Sequence, residues 1–369
     1  MSLILTRVLE YRAKLENYDK NMARPLEYGA LDFFAQQTKL ANGLVTSEFV
    51  NKVFASAGRD VKIPSIDYNE MTVSNVRSCS GVTYESTSKL TQVTFVTYAV
   101  GFSMVKAQYL SNDIAYMKDF NRKLEACARN LAVEIDKGCI AALEANKTQV
   151  FKDALTYPTT GDAIQASYDM RDEVFGDLNT MMRANAYPGM MHVIGNGGIE
   201  KVVNKQSEHG PYNDVNKQFE FQNKVLHFTT NITNESGVLG TGYAVTDGNV
   251  AVVTRAETEA FMGTKIADHE WSVVNLPYLE LPVCTHFHKE VGDQSATAGD
   301  ATAHLTCNVK EYFDFSIQVG YITSYNTDLA VHANPIMKIE IGTSAYPAAK
   351  PVVIVNSPTD PVNTKEVTP

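Results

Sequence analysis

The sequence predicts an α+β fold in which one long helix organises the strands on either side of it. Three stretches carry that expectation. Ser111 to Gln149 is an uninterrupted amphipathic run, Ile66 to Leu110 ahead of it has strand composition around a polar centre, and the residues after it alternate strand, turn and helix signals.

The long run comes first because the rest depends on it. Ser111, Asn112 and Asp113 can each turn a side-chain oxygen onto the free N–H groups of a first helical turn. Ile114, Met117, Phe120, Leu124, Cys127, Leu131, Ile135, Cys139 and Leu143 then recur at helical spacing and form one apolar stripe. Lys118, Arg122, Glu125, Arg129, Glu134 and Lys137 occupy the other side, as expected of a solvated face. No proline interrupts the run. A helix of about 35 residues spans roughly 50 Å, longer than a compact domain needs. Either another element runs alongside it or it is the spine of a flattened subunit.

Ile66 to Leu110 divides into two extended runs, Glu70 to Cys79 and Leu90 to Gln108, around the polar tip Ser80 to Lys89. Thr, Val, Tyr and Phe dominate Thr91 to Val105. A long two-stranded ribbon is marginal by itself in water, and its edges are open to pairing with other chains. Two readings stand together: a ribbon packed on neighbouring subunits, or a hairpin folded back on its own domain. Under the first, the inter-subunit contacts would come from Thr72, Val76, Tyr84, Lys89, Phe95, Tyr98 and Phe102.

Residues 1–65 form a segmented arm, with short helices expected at Leu3–Tyr18, Leu31–Gln37 and Ser47–Ser56 around an Asn42-Gly43 turn. Beyond the long helix, Ala163–Ala184 reads as an amphipathic helix and Met190–Gly195 as a buried strand, followed by a helix from Ile199. Strands are expected at Phe219–Thr230, Gly242–Arg255, Glu257–Phe261, Trp271–Leu281, His286–Val291, Ala303–Val309, Phe313–Ser324 and Val331–Ile341. The last segment, Tyr346–Pro369, carries Pro347, Pro351, Pro358, Pro361 and Pro369 and reads as an extended strap or tail.

Composition narrows the function classes. The 369 residues are 44% hydrophobic, enough for a sizeable core, and 42 acidic against 32 basic residues give a net charge of -10. Without a Lys/Arg block, sequence-specific nucleic-acid binding is disfavoured. Five cysteines lack CxxC spacing and read as reduced thiols. The apolar start is too short for a signal peptide, and no apolar stretch reaches 18 residues, so a soluble product made inside a cell is expected.

Catalytic chemistry has no anchor. The glycines around Asn196 and Thr241 are turn glycines, since no GK[ST] or dinucleotide fingerprint follows, and there is no G-x-S-x-G elbow. No cofactor is expected. Cys284, His286 and His288 alternate along a strand and are candidate metal ligands, with His304 and Cys307 nearby. Their spacing matches no standard zinc site, and four groups would have to converge. Strand packing or surface histidines is the reading adopted.

The order of elements is also a resemblance. An N-terminal arm, an extended ribbon and the strand FSMVKAQYL entering NDIAYMKDFNRKLEACARNLAVEIDKG directly, followed by an α/β region, resemble the major capsid proteins of tailed bacteriophages, the Hong Kong 97-type fold shared with encapsulins. The resemblance implies an N-arm at 1–65, an E-loop at 66–110, a peripheral (P) domain with its spine helix at 111–161, an axial (A) domain at 162–327, a P-domain return at 328–345 and a tail at 346–369. It implies a shell-forming structural protein that is not an enzyme. The chain would assemble with itself into hexamers and pentamers around double-stranded DNA, in the cytoplasm of a host bacterium, and remain in the virion. Scaffold, portal and decoration proteins would be partners, with no membrane involved. With about 65 residues before the ribbon, no large N-terminal scaffolding domain is expected, which leaves a separate scaffold protein or none. Lys89 at the ribbon tip is read as a surface lysine rather than a cross-linking residue. An encapsulin-like compartment, or a soluble α+β enzyme or binding protein, are the alternatives.

Overall fold

In the computed structural model the described residues are 6–8, 10, 28–40, 43–56, 58–66, 88–109, 113–152, 157–160, 162–171, 173–187, 189–206, 212–213, 218–221, 224–276, 279, 281–293, 307–324 and 333–342. The expected ribbon arm Glu70–Cys79, its tip at 80–87, the tail 346–369 and most of Leu3–Tyr18 lie outside them.

The chain begins with α1 (Gly29–Thr38) and α2 (Ser47–Phe54), the latter capped by Thr46, whose hydroxyl accepts the Phe49 N–H at 3.2 Å. Strands β1 (Lys62–Ile66) and β2 (Ser88–Gln92) pair antiparallel, Ile66 opposite Ser88, and neither pairs with any other strand among the described residues. Next come β3 (Phe95–Val105), a 3-10 turn and α3, the long helix, at Asp113–Ala145.

The α3 stripe runs through Tyr116, Phe120, Leu124, Cys127, Leu131, Ile135, Cys139 and Leu143, all buried. Ile114, expected in the stripe, is instead 71% exposed. Tyr116 takes its place at the helix start and donates its hydroxyl to Glu311 at 2.5 Å. The solvent side carries Asp119–Lys123 and Glu125–Arg129 ion pairs at i,i+4 spacing, each contributing a few tenths of a kcal/mol at about 0.3–0.5.

After α3 come β4 (Thr159–Thr160), β5 (Ala163–Ala166), α4 (Glu173–Ala184), β6 (Met191–Gly195), α5 (Gly197–Gln206), β7 (Tyr212–Asn213), β8 (Gln218–Phe221), β9 (Lys224–Phe228) and β10 (Val238–Thr246). They are followed by β11 (Val250–Arg255), α6 (Thr258–Met262), β12 (Lys265–Ile266), β13 (His269–Asn275), β14 (Pro282–Asp293), β15 (Cys307–Thr323) and β16 (Ile336–Gly342). Two expectations fail locally. Ala163–Ala166 is a strand, not the start of a helix, because all four residues are buried beside β16. Glu257–Phe261 is mostly α6 rather than a strand, closed by Gly263 in the left-handed region at φ 64°.

The strands make two large sheets. One is antiparallel in the order β11-β15-β14-β13-β12, with β3 along the other side of β15. Phe313, Phe315, Ile317 and Val319 of β15 are buried, and Tyr98, Val100, Phe102 and Met104 of β3 belong to the same core beneath α3. The Phe120 ring stands edge-on to Phe102 at 5.6 Å and to Phe313 at 5.1 Å. Gly138 brings the Tyr321 hydroxyl against α3, where it donates to the Ile135 carbonyl at 3.2 Å; a Cβ on Gly138 would lie 2.0 Å from that oxygen.

The second sheet is mixed, ordered β4-β5-β16-β10-β6-β9-β8-β7, with β16–β5 and β6–β9 parallel. Helices α4 and α5 contribute to its core, and every residue of β6 and β16 is buried. The glycines around Asn196 and Thr241 have a packing role. Gly198 at the start of α5 meets β10 so closely that a Cβ there would lie 1.9 Å from the Leu239 carbonyl oxygen.

These sheets cut the chain differently from the expected boundaries. The segment expected as one axial domain, 162–327, contributes β5 to β10 to one sheet and β11 to β15 to the other. The expected peripheral return, 328–345, supplies β16, which lies between β5 and β10 in the eight-stranded sheet. The cause is hydrophobic patterning: β15 presents a large apolar face to α3, whereas β16 is buried throughout its length.

Candidate functional site

The length of α3 is explained by what it touches. Its first half packs on the six-stranded sheet, and its C-terminal end is fastened to the eight-stranded one. Glu144 accepts the Tyr243 hydroxyl at 2.6 Å and lies 3.6 Å from the Lys338 ammonium, which also pairs with Glu340 at 3.1 Å. Asn334 donates to the Asn146 carbonyl at 2.8 Å just beyond the helix.

Between those ends, Asp136 is a buried joint. Its Oδ1 accepts the Leu31 N–H at 2.9 Å, and its Oδ2 accepts the Thr229 hydroxyl at 2.6 Å and the Asn231 side-chain amide at 2.8 Å. Leu31 lies in the first turn of α1, whose flanking Tyr28 provides no side-chain cap. The carboxylate therefore caps α1 from another helix. Burial pushes its pKa up, against the pull of these donors. The sequence reading placed the carboxylates of this helix on a solvated face and missed it. The available signal was position, since Asp136 falls in the row Ala132, Cys139 and Leu143 of the apolar side.

A second buried cluster looks more like catalytic chemistry. Asp247 Oδ1 lies 2.7 Å from His192 Nε2 and accepts the Gln37 amide at 2.9 Å, while His192 Nδ1 lies 2.9 Å from His227 Nε2. A catalytic relay would end on a hydroxyl or thiol that attacks substrate. This one ends on His227, whose pKa burial pushes down to about 3, with Phe33 packed on both imidazoles. The arrangement ties α1 to β6, β9 and the turn after β10.

The residues expected at subunit contacts are placed unevenly. Thr72, Val76 and Tyr84 lie outside the described residues, and Lys89 is described only by its backbone in β2. Phe95, Tyr98 and Phe102 are engaged within their own chain. Phe95 lies under the Arg255 guanidinium at 4.5 Å, the Tyr98 hydroxyl is 3.1 Å from that of Tyr321, and Phe102 stacks on Phe313 at 5.2 Å. β3 pairs along its length with β15 of the same chain. The large apolar side chains exposed nearby are Leu90, at 62%, and Val96. A further exposed apolar group, Phe261, Met262 and Ile266, sits where β12 ends the six-stranded sheet. An open strand edge beside exposed apolar side chains is a surface suited to association.

The candidate metal ligands are only partly brought together. His286 and His288 face the same side of β14, but Cys284 is buried against Ala256 and Ala260. Its sulfur accepts the Glu257 N–H at 3.4 Å, and burial raises its thiol pKa. The third member is His269 of β13, directly opposite His288 in the register. One possible ligand atom from each of the three imidazoles lies within 4.8 Å of the others. Burial, and then the neighbouring His288, lowers the His286 pKa. His304 lies outside the described residues, and Cys307 pairs with Asp293 at the far end of β15.

No protein-family model matches the sequence, and no curated protein matches it. Among solved structures, the chain is similar to one from Mycobacterium phage Che8, at 13% identity and a TM-score of 0.43 over 80% of this chain and 89% of that one. It is also similar to one from Gordonia phage Cozz, at 10% identity and a TM-score of 0.44 over 87% and 89%. A third is a cyanophage A-1(L) capsid asymmetric unit, at 12% identity and a TM-score of 0.45 over 82% and 94%. All three TM-scores lie below 0.5. No helix among the described residues is long and apolar enough to cross a membrane.

Proposed function

We propose that the chain is a shell-forming subunit with the Hong Kong 97-type fold, the major capsid protein of a tailed bacteriophage. One observation carries this. A 33-residue helix is entered almost directly from a sheet strand and spans two sheets, while the strand continues from a two-stranded ribbon that pairs only with itself among the described residues. The Asp247–His192–His227 chain ends on a buried imidazole rather than on a nucleophile.

In this reading α3 with the six-stranded sheet is the peripheral domain, and the eight-stranded sheet with α4 and α5 is the axial domain. The β1–β2 ribbon is the base of the E-loop, which would lie over an adjacent subunit. Leu90 and Val96 on one side, and Phe261, Met262 and Ile266 on the other, would be covered by neighbours in hexamers and pentamers. Many modest contacts repeated under closed symmetry then sum to a stable shell. The charge of -10 suits a wall that holds double-stranded DNA without gripping a sequence. The subunit would assemble in the bacterial cytoplasm and remain in the virion, with scaffold, portal and decoration proteins as further partners.

The test replaces 67–87 by a short turn joining Ile66 to Ser88, which already face each other. Sedimentation velocity should show large assemblies for the full chain and only small species for the variant, both with the circular dichroism of a folded α+β protein. Large closed assemblies from the variant would refute the E-loop role.

A further inference from the structure

We propose that His269, His286 and His288 form a binding site for one divalent transition-metal cation of the zinc, nickel or copper class. Each ring offers a nitrogen, and these lie within 4.8 Å of one another. His269 Nδ1 and His286 Nε2 are already 2.9 Å apart, closer than two ligands around one ion require. Tetrahedral zinc holds its nitrogens at about 2.0–2.1 Å, placing them roughly 3.3 Å from each other. Closing the set brings nitrogens that lie within 4.8 Å of one another to roughly 3.3 Å, and turns rings now within 18° of parallel so that their in-plane lone pairs converge on one ion.

The rings are held in place by aromatic stacking. Trp271 stacks on His286 at 4.6 Å and Tyr312 on His288 at 4.5 Å, while His269 lies 5.1 Å from His288. Strand pairing fixes the same arrangement, with His269 opposite His288, Trp271 opposite His286, and Tyr312 opposite His288 from the other side. Two further observations favour a cation over plain stacking. His288 Nδ1 is buried and has no hydrogen-bond partner, although an imidazole nitrogen so placed ordinarily has one. On the far side of His286, Asp314 Oδ2 lies 3.6 Å from Nδ1. A carboxylate behind a ligating imidazole fixes its tautomer and strengthens it as a donor.

Three imidazoles leave one tetrahedral position open for a water or another ligand. Neutral nitrogen donors suit zinc, nickel and copper and disfavour calcium and magnesium, which take oxygen. The site does not depend on the shell-forming role, because all three ligands come from one chain.

The experiment uses the full chain, purified without a polyhistidine tag and stripped with chelator. Titration calorimetry with zinc chloride should show one equivalent bound. Cobalt(II) should give the visible absorption of a four-coordinate site, and calcium should not compete. His269→Ala and His288→Ala should each weaken zinc at least about tenfold, the scale on which lost metal partners act. Melting curves without metal report whether each variant is folded, and the exposed-side change His269→Gln serves if an alanine variant is not. Absence of zinc binding by the full chain, or equal binding by folded variants lacking His269 or His288, overturns the proposal.

Discussion

Replacing Asp136 should separate a structural joint from an incidental buried charge. In Asp136→Ala, the Leu31 N–H, the Thr229 hydroxyl and the Asn231 amide lose their shared acceptor. A buried donor without a partner costs about 1–3 kcal/mol. Thr229 and Asn231 can turn toward other acceptors, but the Leu31 N–H is fixed in the first turn of α1. Relief of the buried carboxylate offsets part of the loss. The net is ~1–2 kcal/mol, read as a shift in the urea midpoint at constant slope. Asp136→Asn keeps an acceptor for Leu31 and should lose about 1 kcal/mol.

The pH dependence has a definite sign. Burial raises the Asp136 pKa, so the folded state holds this proton more tightly than the unfolded chain. Its contribution is complete below the ordinary carboxylate pKa and falls as pH rises through the raised folded value. The stability lost in Asp136→Asn should therefore be greatest in acid and shrink toward neutral pH. An alanine variant as stable as wild type, or an asparagine penalty that grows with pH, would refute this account of the joint.

Other expected outcomes follow from packing. Phe120→Ala removes a fully buried ring from the α3–sheet core and should cost about 3–5 kcal/mol, measured by chemical denaturation. Gly138→Ala would gain about 1 kcal/mol from helix propensity alone, but its Cβ displaces the Tyr321 hydroxyl from Tyr98 and Ile135; a net loss of stability is expected, and a gain in melting temperature would contradict the packing. Met262→Asp alters a side chain that is 75% exposed, so the melting temperature should stay within about 2 °C, the scale of a surface change, while large assemblies diminish in sedimentation.

What was legible in the sequence follows period and reach. The long helix was legible because its apolar residues keep one phase from Phe120 to Leu143, although at its start the buried position belongs to Tyr116 and not to Ile114. The pairing of β3 with β15 was not, because strand composition does not name a partner more than 200 residues away; yet the alternation of Tyr98, Val100, Phe102 and Met104 already marked a core-facing strand. Ala163–Ala166 was misread because a short run buried on both sides has no period that separates strand from helix. The metal candidates were half right for a similar reason. His286 and His288 share a face by spacing, but His269 arrives from the neighbouring strand, and Cys284 is drawn into the core beneath α6. Asp136 was hidden by its neighbours, since a carboxylate on a charge-rich helix reads as solvated unless its row is checked against the apolar stripe.

The central claim is that this subunit is built to enclose a volume with copies of itself. Negative-stain electron microscopy of the full chain, expressed alone and concentrated, tests it most directly. The account predicts rings, sheets or closed shells of repeating capsomers. A field of uniform single subunits across salt and protein concentration would contradict it.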